Sequence, residues 1–205
     1  MPPKLLFLPG AGADPGFWRP VGERLPGEWD KVYLGWPGLG DQPASADVNG
    51  LEDLVALVEA QITDGPVDLL AQSMGGLIAM LVALRHSQKV RRLVLSVTSA
   101  GLDMGGLGAA DWQATYHRNY PKAARWLSDV RVDLSAELPG IAAPVLLLWG
   151  DSDPISPVMV GQRLRDLLPH ARLHVLKGGD HDLVHTRPGE VARLIEAHLL
   201  ENGDD

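Results

Sequence analysis

The sequence predicts an α/β fold, a doubly wound and mostly parallel sheet of about six strands with helices on both faces. Three observations predict it. Short runs of residues are apolar at successive positions, which is typical of strands buried on both faces of a parallel sheet. Longer segments between these runs carry apolar residues at helical spacing. Strand and helix candidates also alternate along the chain, which implies right-handed crossover connections.

The strand candidates are apolar runs of about strand length. They span residues 4–8, 31–34, 67–71, 92–97, 145–149 and 172–176. The helix candidates are three apolar stripes at three- and four-residue spacing, and each stripe predicts one amphipathic helix. The stripes are Leu51, Leu54, Val55, Val58 and Ile62, then Leu77, Met80, Leu81 and Leu84, and finally Val191, Leu194, Ile195 and His198.

Composition narrows the function classes. The chain has 205 residues, 45% hydrophobic and 21% charged, which fits one globular domain over residues 1–205. It has no cysteine, which excludes disulfides, thiolate nucleophiles and cysteine-based metal sites. The net charge of -8 argues against a nucleic-acid-binding protein, which needs a basic face. No stretch of about 18 apolar residues occurs, so we expect a cytoplasmic protein without a membrane partner.

One segment, at about residues 101–140, interrupts the alternation of strands and helices. It opens on four glycines, which lower the cost of unusual backbone angles and can form a hinge. A helix is expected over residues 111–129, and Trp112, Tyr116 and Tyr120 share one of its faces through their four-residue spacing. This face either packs on the rest of the domain or lines a pocket, and we predict a short lid insertion here.

A candidate nucleophile, Ser73, stands at a sharp turn between a strand and a helix. Residues 67–81 read V-D-L-L-A-Q-S-M-G-G-L-I-A-M-L, so a buried strand leads into the serine and a helix follows at once. Reversing direction this sharply strains the Ser73 backbone, and the small residues Ala71 and Gly75 let strand and helix approach closely. The helix N-terminus favours developing negative charge there. Taken alone, the motif also fits an ordinary N-cap serine.

With this strand–turn–helix setting, the sequence resembles the α/β-hydrolase family from about residue 4 to residue 200. The family's nucleophile motif is Gly-x-Ser-x-Gly, and Ala71 replaces its first glycine here. The resemblance implies an active site at the carboxyl ends of the strands. The family core has eight strands, the first two of which form an edge hairpin, and we expect both to be missing here. Because an exposed edge strand needs protection, a homodimer is a further expectation.

The loop after the first strand candidate, Pro9-Gly10-Ala11-Gly12, corresponds to the oxyanion loop of similar hydrolases. These have His-Gly-x there, and the residue after the pair donates its backbone N–H to the oxyanion, which implies Ala11. The second donor that the resemblance implies is the N–H of Met74, directly after the nucleophile. The alternative, a phosphate-binding loop, lacks both the G-x-x-x-x-G-K-[ST] lysine and the G-x-G-x-x-G spacing.

The resemblance also implies an acid, Asp153, and a base, His181. Residues 145–157 read V-L-L-L-W-G-D-S-D-P-I-S-P, and similar hydrolases carry the acid three residues after the glycine, which selects Asp153 over Asp151. Asp151 is better placed to cap the turn. His181 follows the last strand candidate and a Gly-Gly pair, and it completes the family's chain order of Ser, Asp and His.

Six other histidines compete with His181. Those in helices or at helix ends, His198 among them, are expected at the solvated surface. A metal site at His181 and His185, with the nearby Asp180 and Asp182, is a further alternative, but the spacing lacks the H-E-x-x-H glutamate and an obvious third ligand. We therefore expect neither a metal nor a cofactor.

A complete set of Ser, His and Asp implies hydrolysis of a small-molecule carboxylic ester, or a similar acyl substrate, through an acyl-Ser73 intermediate. The same scaffold also supports cofactor-free perhydrolase or haloperoxidase chemistry, C–C bond hydrolysis, lyase steps, or ligand binding without catalysis. Trp36, Trp112 and Tyr116 are candidate substrate-binding walls of the pocket. Each of the three also fits an ordinary core position.

Overall fold

The computed structural model describes residues 4–63 and 65–201. Within them, one sheet of six parallel strands has the order β2-β1-β3-β4-β5-β6, which confirms the predicted doubly wound fold. Strands β2 and β6 form the two edges of the sheet. A homodimer through such an edge stays a prediction. The strands are β1 (Lys4–Leu8), β2 (Asp30–Tyr33), β3 (Val67–Gln72), β4 (Val90–Ser96), β5 (Val145–Gly150) and β6 (Ala171–Leu176).

Helices cover both faces of this sheet. The helices α2 and α3 pack against each other, and α1 packs against α7. In the part of the chain that the structure describes, no helix combines the length and the apolar composition needed to cross a membrane. The helices are α1 (Arg19–Gly22), α2 (Leu51–Glu59), α3 (Met74–Arg85), α4 (Gln113–Asn119), α5 (Val158–Leu167), α6 (Leu183–Thr186) and α7 (Pro188–Leu200), with short 3-10 helices at Arg125–Asp129 and Leu138–Gly140.

Helix α3 is buried more completely than its predicted stripe implied. Leu77 and Met80 of that stripe are buried, but Leu81 and Leu84 are only partly so. The small residues on the other sides of the helix are buried instead, because α3 lies against β3 and β4 and is also covered by α2. A central helix of this kind is apolar all round, so periodicity alone does not define its buried face.

The inserted segment between β4 and β5 differs from the single helix predicted over residues 111–129. Helix α4 ends at Asn119, and Pro121 follows shortly after it. Proline has no N–H for the helical ladder and disfavours helical backbone at the residue before it, so the chain turns and resumes as a 3-10 helix. The predicted aromatic face is present, since the ring centroids of Trp112 and Tyr116 lie 5.6 Å apart and those of Tyr116 and Tyr120 lie 5.1 Å apart.

His198 on α7 is buried, whereas the sequence analysis placed it at the surface. Its exposed fraction is 7%, and its Nε2 lies 3.1 Å from the carbonyl oxygen of Leu93 on β4. Burial, reinforced by the nearby Arg92 guanidinium, lowers the pKa of His198 to about 4. The ring is therefore neutral at pH 7 and donates Nε2–H to the carbonyl. The histidine in this apolar stripe is thus a core residue whose buried N–H has a hydrogen-bond acceptor.

Candidate functional site

The turn between β3 and α3 holds Ser73 in a strained backbone conformation. Its φ of 52° and ψ of -123° lie outside the regions that ordinary L-residues prefer. The Ser73 N–H donates to the carbonyl of Ser96 at the end of β4, 3.0 Å away. A Cβ at Gly75 would lie only 2.5 Å from the Pro9 oxygen and 2.6 Å from the Leu8 oxygen. The turn therefore requires glycine at position 75, as the sequence motif predicts.

Three side chains that are distant in the sequence meet at the carboxyl ends of the strands. His181 Nε2 lies 3.0 Å from Ser73 Oγ, and His181 Nδ1 lies 2.7 Å from Asp153 Oδ2. The Asp153 side chain is fully buried, whereas the His181 side chain is one-fifth exposed. A neutral imidazole in this position can accept a proton from the hydroxyl while the carboxylate accepts Nδ1–H.

Further hydrogen bonds hold the acid and the base in place. Asp153 Oδ1 accepts the N–H groups of Ile155, at 2.8 Å, and Ser156, at 3.1 Å. The side-chain amide of Gln72 donates to the backbone oxygen of His181 at 3.1 Å. Gln72 is not among the site residues predicted from the sequence, although its place directly before Ser73 is a signal. Asp151 accepts the N–H of Gly178 in an exposed loop, so it supports the loop that leads to the histidine.

The two predicted oxyanion donors both line the cavity beside Ser73. Met74 begins α3, where the first N–H groups of a helix have no intrahelical acceptor. Ala11 lies in a turn after β1. Among the described residues, neither the Ala11 N–H nor the Met74 N–H donates a hydrogen bond. Both amides are thus available to an oxygen atom bound next to the Ser73 hydroxyl.

Two buried indoles anchor the start of the loop that carries Ala11. Trp18 Nε1–H donates to the carbonyl of Leu8 at 3.1 Å, and Trp36 Nε1–H donates to the carbonyl of Pro9 at 2.8 Å. Trp36 is fully buried and does not line the cavity, which corrects its assignment as a substrate-binding wall. The indole N–H requires a hydrogen-bond partner when it is buried, and a loop carbonyl provides one.

An open cavity of about 1540 Å³ lies above the serine, and Trp112 and Tyr116 line it as predicted. Much of its wall comes from the inserted segment at residues 101–133. His185 also lines it, with its ring stacked on Phe17 at a centroid distance of 5.9 Å. Within the described residues, no cluster of three or more histidine, aspartate or glutamate side chains could hold a metal ion.

The charged side chains around this cavity are predominantly acidic. Arg131 is the one lysine or arginine among the described residues that line it. Its guanidinium donates to the backbone oxygens of Ser128 and Val130, each at 2.8 Å. The side chains that line the cavity therefore carry more negative than positive formal charge. The acidic residues that line it are Asp14, Asp103, Asp111, Asp133 and Asp182.

Comparison with known proteins identifies the family. A family model described as "Alpha/beta hydrolase family" matches residues 5–132. A pimeloyl-[acyl-carrier protein] methyl ester esterase of Neisseria meningitidis is 30% identical, over 87% of this chain and 86% of the relative. The crystal structure of a membrane phospholipase A superposes with a TM-score of 0.81 at 26% identity, covering 97% of this chain and 78% of that one.

A second solved structure supports the fold. A thermophilic esterase from Thermogutta terrifontis superposes with a TM-score of 0.78 at 21% identity, over 96% of this chain and 89% of that one. The family model covers residues 5–132, and the 30% identical relative covers 87% of the chain. The chain therefore belongs to the alpha/beta hydrolase family, as a carboxylesterase-like hydrolase.

Proposed function

We propose that the protein is a serine hydrolase that cleaves carboxylic esters through an acyl-Ser73 intermediate. The observation that carries this proposal is the continuous contact from Ser73 Oγ to His181 Nε2 at 3.0 Å, and from His181 Nδ1 to Asp153 Oδ2 at 2.7 Å. Serine is a weak nucleophile without a base within hydrogen-bond reach, and this geometry supplies one. Asp153 fixes the tautomer in which Nε2 is free to accept a proton.

In the first step, Ser73 Oγ attacks the ester carbonyl carbon while its proton moves to His181 Nε2. The carbonyl π electrons move onto oxygen, and the N–H groups of Ala11 and Met74 hold the resulting oxyanion. Each such donor contributes roughly 3 kcal/mol of transition-state stabilisation in hydrolases. His181 then gives its proton to the departing alkoxide, which leaves as the alcohol, and the acyl group stays on Ser73.

In the second step, His181 removes a proton from water, and the hydroxide that forms attacks the acyl carbon. The same two N–H groups hold the second tetrahedral intermediate. His181 returns the proton to Ser73 Oγ as the C–O bond breaks, which releases the carboxylic acid and restores the enzyme. Buried Asp153 stabilises the imidazolium that forms in each half of the reaction.

The substrate class follows from the cavity above Ser73. Its volume of about 1540 Å³ leaves room for a medium or long acyl chain. Its lining carries five aspartates and Arg131, so we propose that uncharged esters enter more readily than anionic ones. Relatives named as pimeloyl-[acyl-carrier protein] methyl ester esterases act on a methyl ester, which supports an ester with a small alcohol here as well.

We further propose that the inserted segment, at about residues 101–140, is the cap of the active site. Support comes from the cavity wall, to which this segment contributes Trp112 and Tyr116 as well as apolar side chains such as Leu102 and Leu127. Positive φ angles at Gly101, Gly106 and Gly108 mark the start of the segment. Because this segment lines the cavity beside Ser73, we expect it to influence which acyl and alcohol groups the site accepts.

A fluorophosphonate probe and a p-nitrophenyl ester panel test this proposal. The wild type is expected to be labelled once, at Ser73, and to hydrolyse the esters. Ser73→Ala is expected to fold normally, to stay unlabelled and to lose hydrolysis by several orders of magnitude. A ligand-binding relative without catalysis would leave the wild type unlabelled. Retention of ester hydrolysis in Ser73→Ala would exclude this serine as the nucleophile.

A further inference from the structure

A single hydroxyl group joins the inserted segment to the loop that carries Ala11. Tyr116 Oη, on α4, donates to the backbone oxygen of Ala11 at 2.9 Å. The Tyr116 hydroxyl oxygen also accepts the backbone N–H of Gly40, at 2.9 Å. Tyr116 is only 7% exposed, and burial raises the pKa of its phenol above the ordinary value, so the hydroxyl keeps the proton that it donates at neutral pH.

The Gly40 loop is itself in direct contact with the same turn. Gly40 has a φ of 53°, and a Cβ there would overlap the carbonyl of Gly12. The Ala124 N–H of the inserted segment donates to the carbonyl of Gly38 at 2.8 Å, which fixes the other end of this loop. Two loops and the inserted segment thus meet around the Tyr116 hydroxyl. A polar group this buried and doubly bonded holds its partners in one arrangement.

In the loop that carries Ala11, each carbonyl oxygen from Leu8 to Ala11 accepts a hydrogen bond. The oxygens of Leu8 and Pro9 accept the indole N–H groups already described, and the oxygen of Gly10 accepts the N–H of Ala13 at 3.0 Å. Tyr116 supplies the last of the four bonds, to Ala11. The peptide groups before and after Ala11 are therefore fixed, and the Ala11 N–H is left without an acceptor among the described residues.

We propose that Tyr116 is a positioning residue for the oxyanion donor: its hydroxyl holds the Ala11 peptide so that the Ala11 N–H points to the oxyanion. This inference rests on the proposed function, because it assigns Tyr116 a role in the transition state of ester hydrolysis. It also makes the inserted segment a part of the catalytic framework as well as a wall of the cavity. Donors that are fixed in advance need no reorganisation as charge develops.

This role differs from that of a substrate-binding wall, and the difference is measurable. A wall residue contributes to binding of the substrate, so its loss raises KM. The Tyr116 hydroxyl faces two backbone groups of the protein, and its removal leaves the ring in the cavity wall. Its loss is therefore expected to lower kcat with little effect on KM, because only the charged transition state depends on the Ala11 N–H.

The test is the hydrolysis of p-nitrophenyl butyrate by Tyr116→Phe, with Tyr33→Phe as the matched control. Tyr33 lies on β2 with its ring stacked on Phe7, and it does not line the cavity. We expect kcat of Tyr116→Phe to fall about tenfold, because of its two hydrogen bonds only the one to Ala11 acts directly on the oxyanion donor, with KM within twofold of the wild type. Affinity for a trifluoromethyl ketone, which forms an oxyanion on the serine, is expected to fall by the same factor.

Ala124→Pro serves as a second variant in case Tyr116→Phe does not fold. The Ala124 φ of -57° suits proline, and the substitution deletes the bond to Gly38 while Tyr116 stays in place. A two- to threefold fall in kcat is expected from the looser loop. The inference is overturned if kcat stays at the wild-type value in these variants, or if a rise in KM accounts for the whole loss in Tyr116→Phe.

The outcome separates this inference from the proposed function. If the wild type hydrolyses esters and is labelled at Ser73, the proposed function stands, and only the Tyr116 variants decide the positioning role. If the wild type neither hydrolyses esters nor is labelled, the proposed function fails first, and the positioning role fails with it.

Discussion

The close contact between the serine turn and the loop after β1 makes Gly75 sensitive to substitution. A methyl group at this position would lie 2.5 Å from the Pro9 oxygen and 2.6 Å from the Leu8 oxygen. Ordinary carbon–oxygen contacts begin at about 3.3 Å, so α3 and the loop must separate by roughly 0.7 Å. Neither side is free to move, because Ser73 N–H is bonded to Ser96 and both carbonyls accept indole N–H groups.

Two effects of Gly75→Ala follow from this displacement. Overpacking of a buried contact lowers the free energy of unfolding by about 1–3 kcal/mol. The displaced atoms carry Ser73 on one side and lead to Ala11 on the other, and a misplacement near 1 Å lowers turnover by about 100-fold. We therefore expect kcat to fall roughly 30- to 100-fold, a larger effect than the loss of stability alone could produce at 25 °C.

The assay is p-nitrophenyl ester hydrolysis together with urea unfolding, with Gly140→Ala as the matched control. A Cβ at Gly140 would meet no atom within 4 Å, so this variant adds the same methyl group without a clash. It is expected to keep wild-type turnover. If Gly75→Ala were as active and as stable as Gly140→Ala, the rigid contact between the turn and the loop would be refuted.

Three other predictions concern the acid, a buried histidine and the charge of the cavity. Asp153→Asn should lower kcat for p-nitrophenyl ester hydrolysis by about 10³- to 10⁴-fold, because the tautomer of His181 is no longer held. Asp151→Asn, which alters only a hydrogen bond in an exposed loop, should keep kcat within tenfold of the wild type. His198 has a pKa of about 4 in the folded protein and about 6.5 when unfolded, so its neutral form stabilises the fold above pH 6.5, and about 3 kcal/mol of the free energy of unfolding is lost as the pH falls toward 4, at 1.36 kcal/mol per pH unit. Urea unfolding of His198→Gln should show a correspondingly smaller loss of stability between pH 7 and pH 4. A loss as large as that of the wild type would contradict this role of His198. An ester whose acyl chain ends in a carboxylate should have a higher KM than the matched uncharged ester, and the difference in KM should shrink with added salt. Equal KM values at low salt would contradict an effect of the acidic lining on substrate entry.

The sheet and the meeting of three distant side chains were predictable from the sequence. Parallel strands buried on both faces appear as continuous apolar runs, and all six runs correspond to strands. The strained turn at Ser73 was recognisable because it needs small residues at fixed positions. One of them is Gly75, where any side chain would collide with backbone atoms. The resemblance to the family implied Asp153 and His181, and both lie in loops at strand ends, which parallel topology brings to one edge.

The surroundings of the site were not predictable in the same way. Trp36 and Tyr116 make their hydrogen bonds to backbone carbonyls 27 and 105 residues away, and a backbone acceptor leaves no trace in residue type. An aromatic residue near a pocket therefore has the same sequence signature whether its ring contacts substrate or its polar atom supports a loop. His198 was misplaced for a related reason, because a polar side chain on a helix can find a buried carbonyl that only the tertiary structure reveals.

Trapping the acyl-enzyme tests most directly whether Ser73 carries the acyl group during turnover, as we propose. The enzyme is mixed with p-nitrophenyl acetate, quenched with acid during the initial burst, and digested for mass spectrometry. We predict one acetyl group per chain, attached to Ser73, and none in Ser73→Ala. Turnover without any acylated residue, or acetylation confined to another side chain, would contradict the role of Ser73 as the nucleophile.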